Sequence, residues 1–225
     1  YPTGCTSYYP FTADSAEWDK IESDIRAAGY VKGSDGVYSK DGNRLEYKFT
    51  IAGETTDHPA YAMFNKAANL LNQHGFKITV GTDVAALRKL ATGNLAVWAA
   101  AWSSTIDPDM YQVYHKDSKA TSRKNWDYDE ILNPSNSQFS VERDIVNRLS
   151  DKIDEGRETD NQDERRATYS EALDLVMQLA VELPTYQRND LAVFNKEIID
   201  VNTLNQETNL KYSSPIDRIW EVDYL

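Results

Sequence analysis

Residues 96–111 have the sequence AVWAAAWSSTIDPDMY, which changes from apolar to polar within one position. The residues before Trp102 are all apolar or small, and such a run predicts a strand that is covered on both faces. Three hydroxyl side chains, those of Ser103, Ser104 and Thr105, follow Trp102 directly. The change fits either a plain surface loop or a strand whose carboxyl end carries polar side chains to a ligand.

Two further strands precede this run, and a helix separates each strand from the next. LEYKFTI at 45–51 alternates between apolar and polar and predicts a half-buried strand, and FKITV at 76–80 predicts a second. A helix opening at Asp57-His58-Pro59 lies between them, and a shorter helix capped by Asp83 follows. This alternation is typical of a parallel α/β sheet, in which the apolar run LAVWAAAW favours a central position for the third strand.

The flanking regions are predicted to be mainly helical. Asp14 is the expected N-cap of a first helix, and Asp41-Gly42 predicts a hairpin. Apolar residues recur at helical spacing over 140–156, where the final glycine is expected to end the helix. Asn161 and Glu164 predict a capping box at the start of the next helix, which Pro184 stops.

The acidic charge balance limits the classes of partner. The 225 residues carry a formal net charge of -12. Phosphate binding requires clustered Lys and Arg, so we expect neither nucleic acid nor an anionic membrane surface as a partner. No apolar run reaches the length of about 18 residues that a membrane span requires. YPTGCTSYYPFT at the N-terminus does not resemble a signal peptide, and Cys5, the single cysteine, is interpreted as an ordinary thiol.

Motifs for catalysis or cofactor binding are absent from the sequence. The three histidines, His58, His74 and His115, lack metal-ligand spacing, and each fits a helix end. No nucleophile elbow, Walker A loop or dinucleotide-binding glycine pattern occurs. We therefore expect no catalytic residue, no metal and no cofactor. The alternative is a hydrolase that acts on carbohydrate or peptide through two acidic residues in one cleft, about 5–10 Å apart.

ALRKLATGNLAVWAAAW, followed by DPDMYQVYHKDS, resembles the second lobe of the family 5 extracellular solute-binding proteins of bacterial ABC importers. This is the oligopeptide-, dipeptide- and nickel-binding group. In that family a helix ending in Gly precedes a strand that finishes in Trp, and a loop then leads to Asp-Pro. The Arg-x-x-x-Tyr element at 165–169 and Leu-Pro-x-Tyr at 183–186 match as well, as does Ala-Gly-Tyr at 28–30. The matches cover nearly the whole chain in the correct order.

The resemblance implies an α/β fold, namely a periplasmic-binding-protein-like (type II) lobe with a mixed, largely parallel central sheet flanked by helices. Residues 1–225 would be the second, C-terminal lobe of a two-lobed protein whose first lobe is absent, with 184–225 as crossing strand and C-terminal return. The lobe would bind a peptide or another small polar solute for delivery to an ABC permease in the membrane. The implied location is extracytoplasmic, in the periplasm or at the cell surface, as a monomer whose full-length form is lipid-anchored.

The ligand-binding residues expected from the strand end and from the resemblance are Trp102, Ser103, Ser104, Thr105, Tyr186 and Arg188. In peptide-binding members of the family, an Asp stands three positions after the strand-ending Trp and pairs with the peptide α-amino group. Thr105 stands at that position here, and Ala99 replaces a basic residue that often precedes the Trp. A neutral Thr cannot supply a full charge to an ammonium, so an uncharged or weakly charged solute is favoured.

Each of these residues also has a structural interpretation. Trp102 fits the lid of a core, the hydroxyl residues fit a loop, and Tyr186 and Arg188 fit cross-strand packing and a surface charge. Asp107 is predicted to be a helix N-cap before Pro108 rather than a ligand group. The other tryptophans are assigned to packing: Trp18, Trp98, Trp126 and Trp220. A third hypothesis, a scaffold that recognises another protein, predicts a broad apolar patch unrelated to the strand ends.

Overall fold

The computed structural model describes residues 14–53, 55–102, 107–185, 191–205 and 213–225. The chain forms two units. The first consists of Tyr1–Ser103 and Asp109–Leu183, and the second of Ser104–Pro108 and Pro184–Leu225. Among the described residues, no helix is both long enough and apolar enough to cross a membrane.

The first half of unit 1 combines a hairpin meander, a parallel sheet and its helices. Its elements in chain order are α1 Ser15–Ala27, β1 Val31–Lys32, β2 Tyr38–Lys40, β3 Asn43–Arg44, β4 Glu46–Ala52, α2 Pro59–Gln73, β5 Lys77–Asp83, α3 Ala86–Leu90 and β6 Val97–Ala99. Strands β1, β2 and β3 pair antiparallel in that order. Asp41 and Gly42 both have positive φ in the β2–β3 turn, as the Asp-Gly pair predicts.

The parallel sheet has the strand order β5-β4-β6, with β4 hydrogen-bonded to both neighbours. The prediction that the third strand is central is therefore wrong within the described residues, because β4 takes that position. Strand β6 is also shorter than its apolar run, since only residues 97–99 pair. The reason lies in the alanines: Ala96, Ala100 and Ala101 make the run apolar, but all three are exposed. Small apolar residues do not report burial as large ones do.

Helices make up the second half of unit 1. They are α4 Tyr111–Tyr114, α5 Ser122–Asn125, α6 Tyr128–Ile131, α7 Ser140–Glu158 and α8 Gln162–Leu179, with a 3-10 turn at Ser137–Phe139. Helices α7 and α8 form most of a continuous core, in which Val146, Leu149 and Ile153 are fully buried. The side chain of Trp98 packs against this core, so β6 joins the sheet to the helices.

Two predicted helix ends differ from the structure. Gly156 does not end the first long helix but lies inside α7, where it faces Tyr169 of α8. Helix α8 ends at Ala180 in the left-handed conformation rather than at Pro184. Asn161 caps α8 as predicted by accepting from the N–H groups of Asp163 and Glu164. The Glu164 carboxylate, however, accepts from the Thr159 hydroxyl at 2.9 Å instead of completing the capping box.

Unit 2 contains little regular structure. A single bridge pairs Ile199 with Tyr224, and one-turn 3-10 helices form at Val201–Thr203 and Ile219–Glu221. The C-terminal segment IWEVDYL, residues 219–225, thus contains one turn and one bridge. Trp220 is 76% exposed, so its assignment to packing is wrong in this structure. Leu204 is the one buried side chain among the described residues of this unit.

Helix α1 is attached to α2 and to the hairpin through one carboxylate. Asp14 caps α1 as predicted, by accepting from the Glu17 N–H. Trp18 is buried and stacks on His74 at 3.9 Å between ring centroids. The Glu22 carboxylate lies 3.0 Å from His74 Nδ1 and accepts from the Tyr38 hydroxyl at 2.8 Å. The hydrogen bond to His74, assisted by the Tyr38 hydroxyl and the Lys32 ammonium, lowers the pKa of Glu22 to about 2.

Because the pKa of Glu22 is depressed on folding, its contribution to stability is complete above its unfolded pKa near 4.5 and is lost as the pH falls towards 2. We expect Glu22→Gln to lower the free energy of unfolding by about 1 kcal/mol at pH 7, since a partly solvated carboxylate is screened. The difference from the wild type should shrink between pH 4.5 and 2 in urea titrations. Asp24→Asn, which breaks an exposed pair on the same helix, is the control and should change little. A pH-independent effect of Glu22→Gln would contradict the assignment.

Candidate ligand-binding site

The three parallel strands end at one edge of the sheet. Ala52 of β4 is in register with Asp83 of β5, and Ile51 is in register with Ala99 of β6. Trp102 lies three residues beyond Ala99, so its position follows from the strand that carries it. In open α/β sheets, ligands bind beyond the carboxyl ends of the strands.

The Trp102 side chain is half exposed and is held on two sides. Half of the residue, 50%, is open to solvent. Its ring lies 6.4 Å from the ring of Trp126, tilted by 50°. The indole Nε1–H donates to Glu182 Oε1 at 3.0 Å. A ring that is fixed along one edge and open on part of its face suits stacking on a flat or apolar part of a ligand.

Trp126 is the buried centre of this aromatic group. It is 3% exposed, and its Nε1–H donates to the carbonyl oxygen of Val113 at 2.9 Å. Trp98 stacks on it at 5.8 Å and Tyr114 at 6.1 Å between ring centroids. The prediction that Trp98 and Trp126 pack is confirmed, and the Trp126 ring also contacts that of Trp102.

Glu182 is a site residue that sequence reasoning missed. It follows α8, and its two carboxylate oxygens accept from different elements, Oε1 from Trp102 and Oε2 from the Tyr114 hydroxyl. The residue is half-buried. Its sequence position immediately before Leu183-Pro184 gives no signal of this role, because the partners lie 80 and 68 positions earlier in the chain.

The other five expected ligand-binding residues lie outside the described residues: Ser103, Ser104, Thr105, Tyr186 and Arg188. Their part in a site stays a prediction. The assignment of Asp107 as a helix N-cap is wrong, because α4 begins only at Tyr111. Asp109 accepts from the Tyr111 N–H at 2.9 Å, so the second acidic residue of Asp-Pro-Asp marks the helix start.

A second stack of polar rings extends along α4. Tyr111 lies 4.2 Å from the ring of His115 and 4.3 Å from the guanidinium of Arg157. Arg157 also pairs with Asp109 at 3.3 Å. His115 is buried, accepts the Asp117 N–H on Nδ1 and lies 3.2 Å from Asp154 on Nε2. These contacts explain His115 by packing and hydrogen bonding alone.

The remaining polar groups in the area are also structural. The Tyr128 hydroxyl donates to the Tyr114 carbonyl oxygen at 2.9 Å, and burial raises its pKa far above the ordinary value. His58 caps α2 through its ring, and His74 stacks on Trp18. Within the described ranges, no group of three His, Cys, Asp or Glu side chains is placed to hold a metal ion.

Surface clefts also occur away from Trp102. One of about 430 Å³ is lined by α1 and the hairpin, including Glu22, Arg26 and Tyr38. Another of about 340 Å³ lies between α7 and α8, beside Lys152 and Glu171. Both are open and lined by paired charges such as Lys152 with Glu171 at 2.9 Å. Neither lies at the carboxyl edge of the sheet.

Solved structures of binding proteins share this fold. The chain is similar to NikZ from Campylobacter jejuni in complex with Ni(L-His), with 17% identity over 76% of this chain and 33% of that one, at a TM-score of 0.54. The oligopeptide-binding protein of Thermus thermophilus, complexed with a pentapeptide, has 15% identity over 83% of this chain and 32% of that one, at a TM-score of 0.54. AppA from Bacillus subtilis, in complex with a nonapeptide, has 14% identity over 72% of this chain and 30% of that one, at a TM-score of 0.53.

The chain spans about a third of the length of these structures. No protein-family model and no curated protein matches the sequence. The structural similarity nevertheless agrees with the parallel sheet and its flanking helices. The fold expected from the sequence is therefore confirmed: the chain has an α/β fold of the type II periplasmic-binding-protein kind, as in part of these solved structures.

Proposed function

We propose that this chain is the second, C-terminal lobe of an extracytoplasmic solute-binding protein that serves an ABC importer. The observation that carries the proposal is the placement of Trp102, half exposed just past the carboxyl end of β6 and fixed by Glu182 and Trp126. A rigid aromatic side chain at that edge of a sheet supplies a ligand platform. The neighbours in fold bind peptides or metal complexes, which are solutes of suitable size.

The apolar surface of unit 2 supports the view that a first lobe belongs to the protein. Its described residues expose many large apolar side chains: Leu191, Val193, Ile216, Ile219, Trp220, Tyr224 and Leu225. An apolar set of this size, with one buried residue to support it, is typical of a surface that packs against further polypeptide. We propose that residues 184–225 return to this first lobe, which is not part of the 225 residues.

Binding without chemistry is the proposed activity. The carboxylate nearest to the Trp102 indole, that of Glu182, has both oxygens occupied by Trp102 and Tyr114. A general acid or nucleophile needs an oxygen directed at substrate, and the hydrolase alternative gains no support from this geometry. The proposed protein is a monomer that acts outside the cytoplasm, held by a lipid anchor, and delivers its solute to permease subunits.

The ligand class proposed is a small, uncharged or weakly charged polar solute. A peptide whose α-amino group does not pair with an acidic residue of the site would be one example. Thr105 in place of an acidic residue carries this part of the proposal. Native mass spectrometry of the full-length protein, purified gently from its own cells, would identify a solute that stays bound. A co-purified nucleotide or an empty protein in repeated preparations would contradict the proposal.

Replacing Trp102 tests the site. We expect Trp102→Ala in the full-length protein to weaken affinity for the identified solute about tenfold or more, because a stacking face worth at least about 1.4 kcal/mol is lost. Isothermal titration calorimetry measures the change. Val141→Ala, which truncates an apolar side chain that is 67% exposed on α7, is the control and should leave affinity unaltered. Equal effects of the two substitutions would argue against a ligand site at Trp102.

A further inference from the structure

Glu182 connects three parts of the first unit. It lies just after α8, it accepts from Trp102 beyond the end of β6, and it accepts from Tyr114 on α4. Besides Glu182, the ring of Trp126 contacts the Trp102 indole. A ring contact tilted by 50° at 6.4 Å restricts the plane of the indole only loosely. The hydrogen bond to Glu182 therefore sets the direction of the Nε1 edge.

The same hydrogen bond lies beside two places at which the chain leaves unit 1. One crossing follows Ser103, the residue after Trp102, and another follows Leu183, the residue after Glu182. The hydrogen bond thus joins two residues of unit 1, Trp102 and Glu182, that are 80 positions apart in the sequence. Tyr114 adds a second donor to the same carboxylate, so that rotation of Glu182 would break two hydrogen bonds at once.

We propose that Glu182 is the positioning residue of the binding site, holding the Trp102 ring in the orientation that receives ligand. The role of Glu182 in ligand binding rests on the proposed function. Its effect on the orientation of the Trp102 ring does not. A charged acceptor forms a stronger hydrogen bond than a neutral one, and loss of the bond leaves the indole N–H free to turn towards solvent. Removing the acceptor should lower, by about tenfold or more, the ratio of Trp102 side chains in the bonded orientation to those turned towards solvent.

The direct test is nuclear magnetic resonance of the indole N–H groups in protein labelled with ¹⁵N-tryptophan. The chain has five tryptophans, and Trp102→Phe assigns the resonance of Trp102 by its disappearance. We expect Glu182→Ala to move that resonance towards the position of a solvent-bonded indole, while the resonance of Trp18, which stacks on His74, stays in place. Glu182→Gln keeps an amide oxygen as acceptor and should restore most of the original shift, which a loss of folding would not do.

A second measurement follows the exposure of the ring. In the Trp220→Phe background, Trp102 is the most exposed of the remaining tryptophans, all of which lie in the described residues. Acrylamide should then quench the fluorescence of Glu182→Ala more strongly than that of Glu182→Gln. Tyr114→Phe removes only the second donor and should have an intermediate effect.

The outcomes separate this inference from the proposed function. An unchanged Trp102 resonance in Glu182→Ala would overturn the positioning role, whatever the ligand affinity. A shifted resonance in Glu182→Ala, combined with normal solute affinity in Trp102→Ala, would uphold the positioning of the ring and overturn the site at Trp102. If both hold, Glu182→Ala should weaken affinity for the solute found by native mass spectrometry, and Glu182→Gln should recover most of it.

Discussion

Trp126→Ala is expected to lower the free energy of unfolding by about 3–5 kcal/mol, which is the usual cost of removing a large aromatic side chain from a core. Trp126 is 3% exposed, and the rings of Trp98, Trp102 and Tyr114 all contact it. Its truncation would open a cavity beneath the proposed platform and leave the Val113 carbonyl oxygen without the indole donor. Urea denaturation followed by circular dichroism measures the loss.

Trp220→Ala is the matched control, since it deletes the same side chain from a position that is 76% exposed. It should change the free energy of unfolding by less than about 0.5 kcal/mol. Trp126→Phe keeps an aromatic ring in the cavity and should recover part of the stability lost in Trp126→Ala. Similar losses for the alanine variants of Trp126 and Trp220 would show that the aromatic group is not organised around Trp126.

The sequence predicts the alternation of strands and helices well, because that information is local. Asp14 and Asn161 cap their helices, and the Asp-Gly pair at 41–42 forms the hairpin turn. Strand order is not local information. The apolar run at 95–102 suggested a central strand, whereas the hydrogen-bonded neighbours of β4 make that strand central instead. An alternating strand with a charged face can be central if long lysine stems cover the sheet, and Lys48 does pass close to Gly81.

The candidate site was predictable in part for the same reason. Trp102 stands at the end of a strand, and strand ends can be found from the sequence. Glu182 could not be found, since its partners Trp102 and Tyr114 lie 80 and 68 positions away in the sequence and are brought to it only by the tertiary fold. Asp107 fits a helix cap because it precedes proline, but Asp109 is the residue that accepts from the first helical N–H, that of Tyr111.

The contact of α7 with α8 depends on Gly156, which the sequence predicts to end the first of these helices. Gly156 lies in α7 opposite Tyr169, and a Cβ at this position would lie 2.3 Å from Tyr169 Cε1 and 2.7 Å from Cδ1. Distances this short require the tyrosine ring to move, although it is 7% exposed and its hydroxyl is bonded by Arg165 at 3.4 Å. The close approach of the helices explains why a glycine stands inside a helix despite its low helix propensity.

We therefore expect Gly156→Ala to lower the free energy of unfolding by about 2 kcal/mol, because overpacking outweighs the gain of about 1 kcal/mol that alanine brings to a free helix position. The sign should reverse in the Tyr169→Ala background, where the ring is gone and only the helix propensity remains. Thermal unfolding of the four members of this double-mutant cycle measures both effects and their coupling. If Gly156→Ala stabilised the otherwise unaltered chain, the prediction would be wrong. The two helices would then lie farther apart than the distance of 2.3 Å between a Cβ at position 156 and the Tyr169 ring implies.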